Sequence, residues 1–128
     1  MLEVILDTET TGLSLAEKHR IVEIGCIELE NQIPTNKIFH EYINPQRQVS
    51  KDAFNVHGYT NEFLSDKKTF LEISESFLEF IKGKKIIIHN AAFDLSFLNY
   101  ELNLINKKPI EIKNVIDTLE IARSKSPG

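Results

Sequence analysis

The stretch that most constrains this chain is its opening, Met1 to Leu13, and within it Asp7-Thr8-Glu9. Leu2, Val4, Ile5 and Leu6 form the short apolar run of a buried strand, and Thr10-Thr11-Gly12 turns the chain at its end. Side chains alternate across a strand, so Asp7 and Glu9 share a face if the strand runs through Glu9. Two carboxylates crowded there raise each other's pKa unless a cation sits between them. Hard divalent ions such as Mg²⁺ or Mn²⁺ take oxygen ligands. The pair therefore reads either as half of a metal site at the end of a central strand or as two solvated surface acids.

The remaining chain must supply the partners. Its 128 residues, 41% hydrophobic and 27% charged, suit one soluble domain with a real core. The net charge of −4 carries no basic footprint for nucleic acid. It does not exclude nucleic acid, because bound cations reverse the local field around an acidic site. Cys26 lies alone in an apolar run, which reads as a small core residue and rules out an internal disulfide. A reducing cytosol fits this. Met1 leads straight into the strand, leaving no room for a signal peptide, and no apolar run approaches membrane-spanning length. A cytoplasmic protein without membrane contact is expected.

Arg20 to Leu29 is rich in β-branched residues and predicts a second strand, with Glu23 as an outward-facing acid. Asn31 to Asn36 is turn-like, and Lys37 to Ile43 predicts a third strand ended by Asn44-Pro45. Three strands joined by short turns imply an antiparallel meander. Ser50 can cap a short helical turn over Lys51 to Asn55, and Thr60 another through Leu64. Thr69 opens a clearer helix in which Phe70, Ile73, Phe77, Phe80 and Ile81 form a core-facing stripe stopped by Gly83. Lys84 to Ile88 reads as a buried strand, Ala91 to Ile105 as a helix, Val115-Ile116 as a short strand, and Leu119 to Arg123 as the start of another helix. The order predicts an α/β fold: a mixed sheet with an antiparallel part first, parallel crossovers afterwards, and flanking helices.

Asp94 falls in the first turn of the helix after the Lys84–Ile88 strand, where ligands gather in parallel α/β arrangements. If that strand lies beside the first, Asp94 faces Asp7 and Glu9. Alone it is also an acid favoured by a helix dipole.

Leu6-Asp7-Thr8-Glu9-Thr10-Thr11-Gly12-Leu13 resembles the first motif of the DEDDh family of 3′–5′ exonucleases, and His89-Asn90-Ala91-Ala92-Phe93-Asp94-Leu95-Ser96-Phe97-Leu98 resembles the second. Phe54-Asn55-Val56-His57-Gly58, followed by Glu62-Phe63-Leu64, is similar to the linking segment of the epsilon proofreading subunits of bacterial DNA polymerase III. The resemblance runs the length of the chain. It implies a ribonuclease-H-like fold, a single exonuclease domain over residues 1–128, and hydrolysis assisted by two Mg²⁺ or Mn²⁺ ions about 3.5–4 Å apart. By resemblance Asp7 bridges both ions, Glu9 binds one, and Asp94 completes the site. Asp7, Glu9, Thr10, Gly12 and Leu13 would meet the terminal nucleotide, with Asp52, His57 and Phe93 against it. The implied substrate is a single-stranded or frayed DNA 3′ end. The implied partners are the polymerase III alpha subunit and other replicase subunits. Asp117 resembles a recurring position after the second motif and also reads as a helix cap.

The family's third motif, a histidine base followed five residues later by an aspartate, is not found after the second. Of the four histidines, His19, His40, His57 and His89, only His89 has an aspartate five residues on, and that is Asp94 of the second motif itself. Ser124 to Gly128 has the look of a chain interrupted before its next helix, so a truncated domain is expected. Without that helix an apolar sheet face would be left open. Weak or absent turnover by these residues alone follows, since a general base contributes ~10²–10⁴-fold. The alternatives are an RNA-trimming exonuclease of the same family and a non-catalytic module that binds nucleic acid or polymerase.

Overall fold

The computed structural model describes residues 1–125. Five strands form one sheet: β1 (Leu2–Thr10), β2 (Ile21–Glu30), β3 (Ile33–Tyr42), β4 (Lys85–Ile88) and β5 (Val115–Asp117). Their spatial order is β3-β2-β1-β4-β5. β1 pairs antiparallel with β2, and β2 with β3, while β1–β4 and β4–β5 are parallel. This is the expected mixed sheet, and β1 is its central strand. The helices are α1 (Lys51–His57), α2 (Asn61–Ser65), α3 (Phe70–Ile81), α4 (Ala91–Leu104) and α5 (Thr118–Lys125).

One hairpin differs from the sequence reading. The turn is only Asn31-Gln32, both at positive φ (51° and 70°), the geometry that matches strand twist in a two-residue loop. β3 therefore starts at Ile33 instead of Lys37 and contains Pro34, which an edge strand tolerates because its missing N–H costs no ladder bond. Between β1 and β2 the chain makes a 3-10 turn at Leu15–Glu17. α1 runs on to His57, two residues beyond the expected Asn55.

α3 and α4 cover one face of the sheet. Val4, Leu6, Ile24, Cys26, Ile86 and Ile88 pack there against Phe70, Ile73, Phe77, Phe97, Leu98 and Leu102. Cys26 is buried as expected, and burial pushes its thiol up to about 12. Thr69 opens α3 with a reciprocal capping box: its side chain accepts from the Glu72 N–H, and Glu72 reaches back to the Thr69 N–H at 2.9 Å. The other face carries Ile5, Ile27 and Ile38 at 42%, 45% and 67% exposure, an apolar surface left open among the described residues. Of the Ser124 to Gly128 stretch expected to be interrupted, Ser124 and Lys125 belong to α5, and residues 126–128 lie outside the described residues. Among the described residues no helix is long and apolar enough to cross a membrane.

α4 is fastened to the start of β2 by an ion pair in which Glu101 is buried and Arg20 partly so. Glu101 accepts from Arg20 Nε (2.9 Å) and Nη2 (2.6 Å) and from the Ile21 backbone N–H (3.0 Å). It thus satisfies its carboxylate at 1% exposure. This clamp helps set where the N-terminal end of α4, with Asp94, meets β1.

Candidate active site

The alternation of β1 determines the two faces of the site. Val4, Leu6, Thr8 and Thr10 are buried, while Ile5, Asp7 and Glu9 project from the other side. β4 pairs with β1 only as far as Ile5↔Ile87. Beyond that point the β1 edge is free, and Asp94 takes the place of a neighbouring strand. Its Oδ2 accepts from the Thr8 backbone N–H (3.1 Å) and from Thr8 Oγ1 (2.9 Å). Asp94 therefore docks onto the strand between the positions of Asp7 and Glu9. Sequence reasoning missed Thr8. The signal available was a β-branched hydroxyl between two acids.

Two of these carboxylates, Asp94 and Glu9, are electrostatically uncomfortable. Burial, with a further push from Asp7, raises Asp94 to about 6 against the two Thr8 hydrogen bonds. Glu9 is raised by burial, then by Asp7, then by Glu23. Glu23 lies directly across from Glu9 in the β1–β2 ladder. The sequence reading made it a plain outward-facing acid. In the structure its carboxylate accepts from Tyr59 Oη at 2.7 Å and meets His40 Nε2, because β3 and the segment after α1 close over it. A cation among Asp7, Glu9 and Asp94 would relieve their repulsion, and three carboxylates are the hard oxygen donors that Mg²⁺ or Mn²⁺ prefers. The donor chemistry fits such ions. Among the described residues, however, no three His, Cys, Asp or Glu side chains form a ready-made metal cage.

Beside these acids lies a cleft of ≈ 270 Å³ lined by Thr8, Glu9, Thr10, Gly12, Leu13, Asp52, Ala53, Val56, His57 and Phe93. It brings together, from β1, α1 and α4, all the residues expected to meet the substrate apart from Asp7. Its size is near the lower end of small-molecule sites, about 300–1,000 Å³. A larger groove of ≈ 580 Å³ opens at the opposite end of β1 and is rimmed by Lys82, Lys84, Lys85 and Lys108. It holds none of the carboxylates, so the smaller cleft is the candidate site.

His57 ends α1, followed by Gly58 at φ 75°. Its Nδ1 accepts from the Tyr59 N–H (3.0 Å), so the proton is on Nε2, which donates to the Thr10 carbonyl (3.0 Å). Both nitrogens are committed to backbone. His57 offers the cleft ring surface and cannot serve as a free base. Phe93 borders the cleft with its ring 4.9 Å from that of Phe97. Asp52, in the first turn of α1, is exposed.

Asp117 is a cap. It accepts from the backbone N–H of Asn90 (3.0 Å), Ala91 (3.0 Å) and Leu119 (2.9 Å), joining the starts of α4 and α5. Burial works against its charge, but these bonds outweigh it and hold the carboxylate below its usual pKa. Asn90 makes no side-chain cap; it turns the chain into α4 at φ 61°.

A family model described as an exonuclease, of the RNase_T type, matches residues 4–128. The chain is 54% identical over 129 residues to the DNA polymerase III subunit epsilon of Rickettsia felis, covering 98% of this chain and 56% of that protein. It is 43% identical over 133 residues to the Escherichia coli subunit of the same name, covering 98% and 55%. The chain thus spans about half the length of these relatives. Among solved structures, exonuclease X in complex with 5′-overhanging duplex DNA superposes with a TM-score of 0.72 at 28% identity, covering 98% of this chain and 64% of the other. Exonuclease I, bound to an inhibitor, superposes at 0.86 with 16% identity, covering 96% and 30%, a likeness of fold alone.

Proposed function

Because this chain belongs to the exonuclease family whose model spans it from residue 4 to its end, we propose that residues 1–128 are an exonuclease domain of a DNA polymerase III epsilon subunit. In that role it removes nucleotides from single-stranded or frayed DNA 3′ ends during replication. The observation that carries this reading is the cleft. Glu9, Thr10, Gly12, Leu13, Asp52, His57 and Phe93 line one nucleotide-sized space beside Asp7 and Asp94. Working partners would be the polymerase alpha subunit and other replicase subunits, in the bacterial cytoplasm.

Asp7, Glu9 and Asp94 would hold two Mg²⁺ or Mn²⁺ ions, which when bound supply an activated water and charge stabilisation for the leaving 3′ oxygen. The chain's own residues bind and orient. Thr8 fixes the Asp94 carboxylate, and Leu13, His57 and Phe93 offer apolar and ring surface to the terminal nucleoside. Contact through sugar and phosphate makes substrate sequence matter little.

None of the four histidines is placed to act as the base. His19 meets Thr11, His40 meets Glu23, His57 is spent on backbone, and His89 meets Thr118. The aspartate that follows the family's histidine is also absent. Weak or absent turnover by these residues alone follows.

The test is binding of thymidine 5′-monophosphate by the purified chain, titrated calorimetrically with and without MnCl2. Mn²⁺-dependent binding lost in Asp7→Ala is expected. No binding of either metal or nucleotide would sink the proposal, and robust release of mononucleotides from a labelled 3′ end would refute the expected inactivity. Stronger competition by short RNA than by mispaired DNA ends would favour the RNA-trimming alternative.

A further inference from the structure

The turn after β1 is held from several sides. The Thr10 carbonyl accepts from His57 Nε2 (3.0 Å) and the Thr11 carbonyl from the Ser50 N–H (2.8 Å), while the Thr11 N–H donates to the Arg20 carbonyl (2.8 Å). Underneath lies a side chain outside the cleft, His19, at 5% exposure. Its Nδ1 is 2.7 Å from Thr11 Oγ1. That hydroxyl also accepts from the Arg20 N–H at 3.0 Å. His19 Nε2 lies 3.3 Å from Glu17 Oε2, which can only accept, so the neutral ring carries its proton on Nε2 and its Nδ1 accepts from Thr11 Oγ1.

The imidazole also fills the space a side chain at Gly12 would occupy. A Cβ there would lie 2.3 Å from Nε2, 2.4 Å from Cε1 and 2.5 Å from Cδ2 of His19. Gly12 is thus required by close approach. The neighbouring Thr11 is fully buried. Neither His19 nor Thr11 lines the cleft, whereas Thr10, Gly12 and Leu13 do, so the backbone of Thr10 to Leu13 links the pair to it.

We propose that His19 is a positioning residue for the substrate cleft: its ring packs under Gly12 and accepts from Thr11, and so moulds the turn that presents Leu13 and the Gly12 backbone to the terminal nucleotide. The role in nucleotide binding rests on the function proposed above. The shaping of the turn does not.

The experiment compares His19→Ala, His19→Asn, Thr11→Val and Gly12→Ala in the purified chain. Two quantities are read: Mn²⁺-dependent affinity for thymidine 5′-monophosphate, and hydrogen exchange at the Thr11 and Gly12 amides relative to core amides of β1 and β2. His19→Ala should lose about tenfold in nucleotide affinity, the worth of one buried hydrogen bond with its packing. It should also speed exchange in the turn without speeding it in the core. His19→Asn, whose side-chain oxygen mimics Nδ1 as an acceptor, should recover most of the loss. Gly12→Ala should lose binding as His19→Ala does, and His19→Asn should partly rescue it by making room. A uniform rise in exchange would mark a merely structural role and overturn the proposal. Wild-type affinity and turn protection in His19→Ala would do the same. If His19→Ala does not fold, Thr11→Val and Gly12→Ala decide by the same two readouts. If the wild-type chain binds no nucleotide, the proposed function falls, and the turn exchange alone decides this inference.

Discussion

Replacing Arg20 by Met isolates the clamp between β2 and α4. Glu101 would stay buried at 1% exposure with only the Ile21 N–H as a donor. Its two short bonds from Arg20, 2.9 and 2.6 Å, would be gone. Removing one partner of a buried pair leaves an uncompensated charge and costs ~3–5 kcal/mol. A domain of this size holds only roughly 5–15 kcal/mol in all. Urea unfolding followed by far-UV circular dichroism should therefore show the midpoint falling by about 2 M, at a slope of about 2 kcal/mol/M. Arg20→Met/Glu101→Leu removes the stranded charge and leaves only the Ile21 N–H orphaned, at about 1–3 kcal/mol. The double variant should be more stable than Arg20→Met. The clamp argument fails if Arg20→Met costs less than about 1 kcal/mol, the worth of a surface pair, or if the double variant is the less stable.

The remaining predictions concern the acids and the core. The Asp94 pKa, raised from 3.8 to about 6, lies above its unfolded value. The native state thus binds the extra proton between those pH values, and metal-free stability should fall as pH rises from about 4 to about 6. The full shift corresponds to about 3 kcal/mol. Thermal melts in EDTA check this, and a flat profile counts against it. Asp94→Asn should accordingly raise the metal-free melting temperature at pH 7 while abolishing the stabilisation that Mn²⁺ gives the wild type. Thr8→Val removes the 2.9 Å bond to Asp94 and keeps the backbone one. It should weaken Mn²⁺ binding, measured by electron paramagnetic resonance, by about tenfold, and unchanged affinity would remove Thr8 from the site. Phe77→Ala empties a fully buried core position and should cost ~3–5 kcal/mol in the same urea experiment; a cost below about 1 kcal/mol would mean the core relaxes around it.

Much of this protein is legible from local sequence. The period of two along β1 foretold that Asp7 and Glu9 share a face. The helical spacing of Phe70, Ile73 and Phe77 with Thr69 as cap foretold α3. The paired motifs pointed to the residues that line the cleft. These features depend on neighbours a few positions apart, where periodicity and capping act. The Asn31-Gln32 hairpin was misread because Pro34 looks like a turn residue until β3 is known to be an edge strand. Other contacts existed only after the chain had closed on itself. Thr8 meets Asp94 across 86 positions and Arg20 meets Glu101 across 81, while the His19 ring determines what Gly12 can be. The opening stretch by itself determined two carboxylates on one face of a strand. Only the tertiary structure brought Asp94 to that strand's free edge, because β4 stops short there and leaves the Thr8 N–H in need of an acceptor.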